Sequence, residues 1–119
     1  MSKNLTVLGE MEQVSGFRCL GDPSPDELLS IMLSVIGVIG MESDGLPDIR
    51  HYPNGHGKGG HGTQIYQALT ESWIVGGTWP AHGFTRIVLS SCKPYDIGMV
   101  QTILTKLIGP ITMTFMNDL

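Results

Sequence analysis

Glu71-Ser72, then residues 73–84 with Thr78-Trp79-Pro80, His82 and Gly83-Phe84, and finally Cys92, form the stretch richest in side chains that could do chemistry. It offers a carboxylate, a hydroxyl, an imidazole and a thiol. A serine hydroxyl can attack the carbonyl of the residue before it, here Glu71, and replace the amide by an ester. Elimination from that ester would cut the chain. Such a reaction needs proton transfer, which is usually the work of a positioned imidazole, and His82 is the imidazole in this stretch. Cys92 could donate a proton as a thiol or only pack, since free cysteines are often buried. An isolated Glu-Ser pair is usually an ordinary sheet dipeptide.

A second chemical reading attaches to Asn54-Gly55-His56-Gly57-Lys58-Gly59-Gly60-His61-Gly62. His51, His56 and His61 recur every five residues, but no nearby Cys or acidic pair completes a metal ligand set. Gly57-Lys58 has the look of a phosphate loop, yet Gly59 stands where Ser or Thr is required. The segment reads as a lid over a pocket, with Lys58 or a histidine reaching a substrate carboxylate, or as a plain flexible loop.

The elements that must position these groups follow from periodicity. Leu5 to Val14 predicts a first strand continuing towards Phe17 and Cys19. Ser24-Pro25-Asp26-Glu27 is a helix start with a capping box, and the helix is expected to reach about Met41 with Leu28, Ile31, Met32, Val35 and Ile39 inward. Short strands are predicted at Ile49 to Pro53, Thr63 to Leu69, Ser72 to Thr78 and Phe84 to Ser91. Pro94 to Ile108 predicts a second helix with Ile97, Val100, Ile103, Leu104 and Leu107 inward, and Ile111 to Met116 a last strand. This order predicts an α+β two-layer sandwich: an antiparallel sheet with two helices packed on one face.

Composition bounds the partners. A chain of 119 residues, 41% hydrophobic and 15% charged, reads as one globular domain over 1–119. Seven Lys and Arg residues and a formal charge of -4 argue against a nucleic-acid surface. The apolar run from Leu28 to Met41 is too short to span a bilayer, so no membrane partner is expected. The start Met1-Ser2-Lys3-Asn4 lacks a signal peptide's apolar region. Cys19 and Cys92 form no secreted-type framework, so a reduced, cytoplasmic protein is the simpler reading.

Glu71-Ser72, Thr78-Trp79-Pro80, Gly83-Phe84 and the spacing to Cys92 resemble the self-cleavage segment of the bacterial and archaeal S-adenosylmethionine decarboxylases. The likeness covers most of the chain by element order, and by residue identity about residues 69 to 92. It implies the same sandwich, a pyruvoyl cofactor derived from Ser72 after cleavage at Glu71-Ser72, and decarboxylation of S-adenosylmethionine to supply polyamine synthesis. It also implies Cys92 as catalytic acid, and Tyr52 before Pro53 as the aromatic that stacks on adenine. Trp79 could edge that pocket or pack in the core. His82 could substitute for a processing histidine or be structural. Relatives pair into dimers, so a homo-oligomer is implied.

The pattern also departs from the family. Trp73, Gly77 and Ala81 stand where relatives have two histidines and a glutamate. Gln64, with Thr63 beside it, stands where relatives have a serine that assists processing. A non-processing homologue is therefore the alternative. It could bind S-adenosylmethionine, cleave it as a C–S lyase with Glu71 as the acid, or regulate a true decarboxylase as a partner subunit.

Overall fold

A computed structural model describes residues 13–53 and 61–118, the last three of these by their backbone alone. The elements in chain order are β1 (Gln13–Leu20), α1 (Pro25–Val38), β2 (Asp48–Tyr52), β3 (Gly62–Leu69), β4 (Ser72–Trp79), a 3-10 turn (Pro80–His82), β5 (Phe84–Ser91), α2 (Ile97–Leu107) and β6 (Ile111–Asp118). The six strands form one antiparallel sheet in the order β2-β3-β4-β5-β1-β6. The two helices lie on one face of it, giving the α+β sandwich that the element order predicts.

Strand alternation sends one set of side chains to the helices. Phe17 and Cys19 of β1, Ile65 and Leu69 of β3, Ile74 of β4, and Ile87 and Leu89 of β5 are buried on that face. They meet Leu28, Ile31, Met32, Val35 and Ile36 of α1 and Val100 and Leu104 of α2 in one apolar cluster. Gly76 is the close-approach point. A Cβ there would stand 2.6 Å from Met32 Sδ and 3.2 Å from Leu28 Cδ1, so the glycine lets α1 sit down on β4.

Helix α1 starts as predicted. Ser24 Oγ accepts from the Glu27 N–H at 3.2 Å and the Glu27 carboxylate accepts from the Ser24 N–H at 2.9 Å, which closes the capping box. These hydrogen bonds hold the Glu27 carboxyl below its ordinary pKa. The helix ends at Val38 rather than near Met41, because Gly40 turns left-handed at φ 72 and the Met41 N–H folds back onto the Ile36 carbonyl at 3.1 Å. Ile36 is buried in this helix and Ile39, its C-cap, is only partly covered.

Helix α2 begins at Ile97, not Pro94. Asp96 accepts from the Met99 N–H at 3.3 Å and serves as its N-cap. Leu107, expected inward, is 41% exposed, as only Val100 and Leu104 of this helix are fully buried. Within the described residues β1 begins at Gln13; the predicted stretch 5–12 lies outside them. Strand β6 runs past Met116 to Asp118 because it pairs with β1 back to Gln13, around an irregularity between Arg18 and Cys19.

Candidate functional site

The chain turns from β3 into β4 through Thr70 and Glu71, with Leu69 paired to Ser72 across the hairpin. Glu71 adopts φ 63, and it is the non-glycine residue with positive φ among those described. A glutamate in the left-handed region stores strain of order 1–3 kcal/mol and persists only where its surroundings hold it there. The two-residue turn between the paired Leu69 and Ser72 imposes it, and the end of β5 adds two hydrogen bonds around it.

Cys92, just past β5, donates through its backbone N–H to Ser72 Oγ at 3.3 Å and through its thiol to the Glu71 carbonyl oxygen at 2.9 Å. Its own position is locked by Ser91. The buried Ser91 hydroxyl accepts from the Lys93 N–H at 2.9 Å and donates to the Lys93 carbonyl at 2.6 Å, forming a tight turn around the cysteine. Cys92 is exposed and free, whereas Cys19 is free and buried.

The third wall comes from the segment after α1. The Thr70 N–H donates to the Glu42 carbonyl at 3.2 Å, the Asp44 N–H to the Ala68 carbonyl at 2.8 Å, and Ser43 bridges to Leu69. Together Gly40, Met41, Glu42, Thr70, Glu71, Ser72, Cys92 and Lys93 enclose a cleft of about 290 Å³. That is at the small end of the roughly 300–1,000 Å³ range of ligand pockets, so it can enclose one end of a ligand rather than the whole of a large one. The chemistry available is a hydroxyl one residue along from a carbonyl that a thiol polarises, inside a strained peptide.

Glu71, Ser72 and Cys92, singled out in the sequence, are therefore brought together. Others are not. Trp79 ends the eight-residue strand that Ser72 begins, so at about 3.3 Å per residue the two stand roughly 23 Å apart. Trp79 stacks on Phe84 at 5.2 Å between ring centroids, and exposed His82, whose ring lies 6.2 Å from that of Phe84, shares that distant end. Tyr52 pairs with Gly62 at the same end, so within one chain Tyr52, Trp79 and His82 do not line the Ser72 cleft. Lys58 and His56 lie outside the described residues.

Gly77 and Thr63, two of the positions singled out in the sequence, also stand away from the cleft. Gly77 faces the uncovered side of the sheet, opposite to Ser72, with the Trp79 ring edge 3.0 Å from where a Cβ would stand. A side chain there would not reach Ser72 within the chain. Thr63 is also remote: its hydroxyl pairs with His51 Nδ1 at 3.1 Å and its N–H donates to Thr78 Oγ1 at 3.2 Å. This corner, with Asp22, His51, Tyr52, His61, Thr63 and Thr78 among its walls, is a second and more open cleft of about 430 Å³. Among the described residues no group of three His, Cys, Asp or Glu side chains is placed to hold a metal ion.

Sequence reasoning missed Ser91, Glu42 and Lys93. Only the adjacency of Ser91 to Cys92 could have pointed to the first; the other two arrive through tertiary contacts.

Comparison with solved structures places the fold. The chain is similar to the crystal structure of the adenosylmethionine decarboxylase from Aquifex aeolicus, with a TM-score of 0.62 over 90% of this chain and 87% of that one, at 12% identity. At that identity the likeness is one of fold. No family model matches the chain, and no curated protein matches it in sequence.

Proposed function

We propose that this protein is an S-adenosylmethionine decarboxylase-like lyase whose reactive group is made from its own Ser72. The observation that carries the reading is the Cys92 thiol 2.9 Å from the Glu71 carbonyl oxygen, with the Cys92 N–H on Ser72 Oγ. The likeness of fold to a decarboxylase supports it.

In the processing step, Ser72 Oγ attacks the Glu71 carbonyl carbon while the Cys92 thiol, donating to that oxygen, steadies the developing negative charge. The Glu71–Ser72 C–N bond breaks, leaving an ester to Ser72 Oγ and a free amine on Ser72. Removal of the Ser72 α-proton then expels Glu71 as a carboxylate. Water replaces the nitrogen, released as ammonia, and a pyruvoyl terminus remains at position 72. The residues around Ser72 fit that group, since the cleft opens beside Ser72 and keeps a thiol at its edge. A pyruvoyl carbonyl supplies an electron sink for the carbanion left by decarboxylation. In this reading Cys92 returns a proton to the product and Lys93 faces the substrate carboxylate, a reading supported by both residues lining the cleft.

The small volume of the cleft means that the nucleoside part of S-adenosylmethionine must be covered by something else. A second copy of the chain is the natural source.

One observation favours a second reading, a homologue that binds the ligand without processing. Among the described residues the cleft contains no histidine, and proton removal at ester and α-carbon would fall to Glu42 or Glu71. Intact-mass measurement on the purified protein decides between the two. Two fragments divided between residues 71 and 72, the second bearing a pyruvoyl terminus, establish the lyase reading. A single uncut chain sinks it, and saturable binding of S-adenosylmethionine by that uncut chain would support the alternative.

A further inference from the structure

On the uncovered sheet face, away from the Ser72 cleft, two arginines stand side by side. Arg18 of β1 pairs directly with Arg86 of β5, and Arg86 is flanked on its other side by Gly77, which in turn faces Gln64 of β3. Directly opposed residues have Cβ atoms about 4.5–5.5 Å apart, and like charges in that relation are destabilising. The chain has more acidic than basic residues. Even so, the ion pair among the described residues is Arg50 with Asp48, and neither Arg18 nor Arg86 is matched to a carboxylate there.

Both guanidiniums are held in place by rings instead. Arg18 Cζ lies 4.9 Å from the Phe84 centroid and Arg86 Cζ 5.6 Å from that of Trp79, and the two rings stack on each other. Cation–π stacking fixes a guanidinium plane while leaving its N–H edges free to donate. Arg18 Nε is moreover a buried donor that finds no hydrogen-bond partner among the described residues. Buried donors are almost always satisfied, so an unsatisfied one beside a second cation calls for an acceptor that the described residues do not provide.

We propose that Arg18 and Arg86 form a binding site for a phosphate group, separate from the Ser72 cleft and independent of whether the chain cleaves itself. Two planar forks carry two positive charges and up to ten N–H donors between them. A phosphate dianion matches both the charge and the number of acceptor oxygens, whereas a single carboxylate satisfies one fork. Gly77 leaves the floor beside Arg86 without a side chain of its own, and Gln64 stands next in the same row as a further donor, while Arg50 of β2, beyond it, is engaged by Asp48. The phosphate is either free or the terminal group of a nucleotide.

Trp79, beneath Arg86, reports the event. With Trp73→Phe removing the other indole, inorganic phosphate is titrated at constant ionic strength, followed by 5′-AMP and adenosine. A saturable change in Trp79 emission is expected with phosphate and with 5′-AMP, and none with adenosine. Equal half-saturation for the two anions assigns free phosphate, and at least tenfold tighter 5′-AMP assigns a nucleotide. Arg86→Gln and Arg18→Gln should each raise the half-saturation concentration at least tenfold, while Arg50→Gln leaves it within twofold. Arg86 is exposed, so its replacement leaves the fold intact, and Arg18→Lys substitutes if Arg18→Gln does not fold. The proposal is overturned if neither anion gives a saturable response or if the arginine variants bind as tightly as the parent. It is also overturned if sedimentation shows that Arg86→Gln only weakens self-association, with no phosphate response in the parent.

Discussion

Strain at Glu71 can be measured directly by replacing that residue. A side chain at φ 63 costs about 1–2 kcal/mol relative to right-handed backbone, and glycine removes that cost. Glycine returns roughly 0.5–1 kcal/mol through the greater freedom of the unfolded chain. The balance is a net stabilisation of about 0.5–1 kcal/mol for Glu71→Gly, a rise of roughly 2–5 °C in Tm for a domain of this size. Glu71→Ala keeps a Cβ and with it the strain, so its Tm should move by less than about 2 °C, the shift expected for a surface change of a few tenths of a kcal/mol. Both variants are made on Ser72→Ala so that the chain stays whole, and their unfolding is followed by circular dichroism. In the Ser72 chain the same Gly substitution should slow cleavage, because the peptide is no longer pressed against Cys92. A Glu71→Gly variant no more stable than Glu71→Ala would refute the strain argument and with it the idea of a primed peptide bond.

Three further outcomes are expected. Cys92→Ala should slow cleavage at 71–72 by roughly 10–100-fold, below the loss typical of a strong oxyanion donor because a thiol donates weakly, and Cys92→Ser should recover part of it in an intact-mass time course. Ser24→Ala should destabilise the fold by about 1 kcal/mol through loss of the helix cap, read by urea denaturation. The Cys19 thiol is pushed up to about 11 by burial, against roughly 8.5 in an unfolded chain. A raised folded value contributes stability that is fully present below the unfolded pKa and is lost as pH rises through the folded one. The decline in Tm between about pH 8.5 and 11 should therefore be shallower in Cys19→Ala, with the burial-raised Tyr95 phenol accounting for part of the slope that remains.

Much of the architecture was legible because it rests on short-range rules. The capping box at Ser24 and Glu27, the alternation in Phe84 to Ser91 and the helical spacing of Leu28, Ile31, Met32 and Val35 each follow from a few neighbouring residues. Helix ends were read less well. Gly40 and Asp96 set them by backbone conformation and side-chain capping, and neither leaves a mark in hydrophobic periodicity.

The candidate site divides along the same line. The motif resemblance of the 71–92 stretch singled out Glu71, Ser72 and Cys92, and the two-residue hairpin puts Glu71 in the turn with Ser72 directly after it. That Cys92 arrives with its thiol on the Glu71 carbonyl depends on β4 pairing with β5 in one register, a contact between residues 21 apart in sequence. The same register carries Trp79, His82 and Tyr52 to the other end of the sheet, because strands translate small separations in sequence into long distances in space. Which side chains could take part in chemistry was thus written in the chain. Which of them share a cleft was decided by strand pairing, since only a fixed register converts sequence distance into contact.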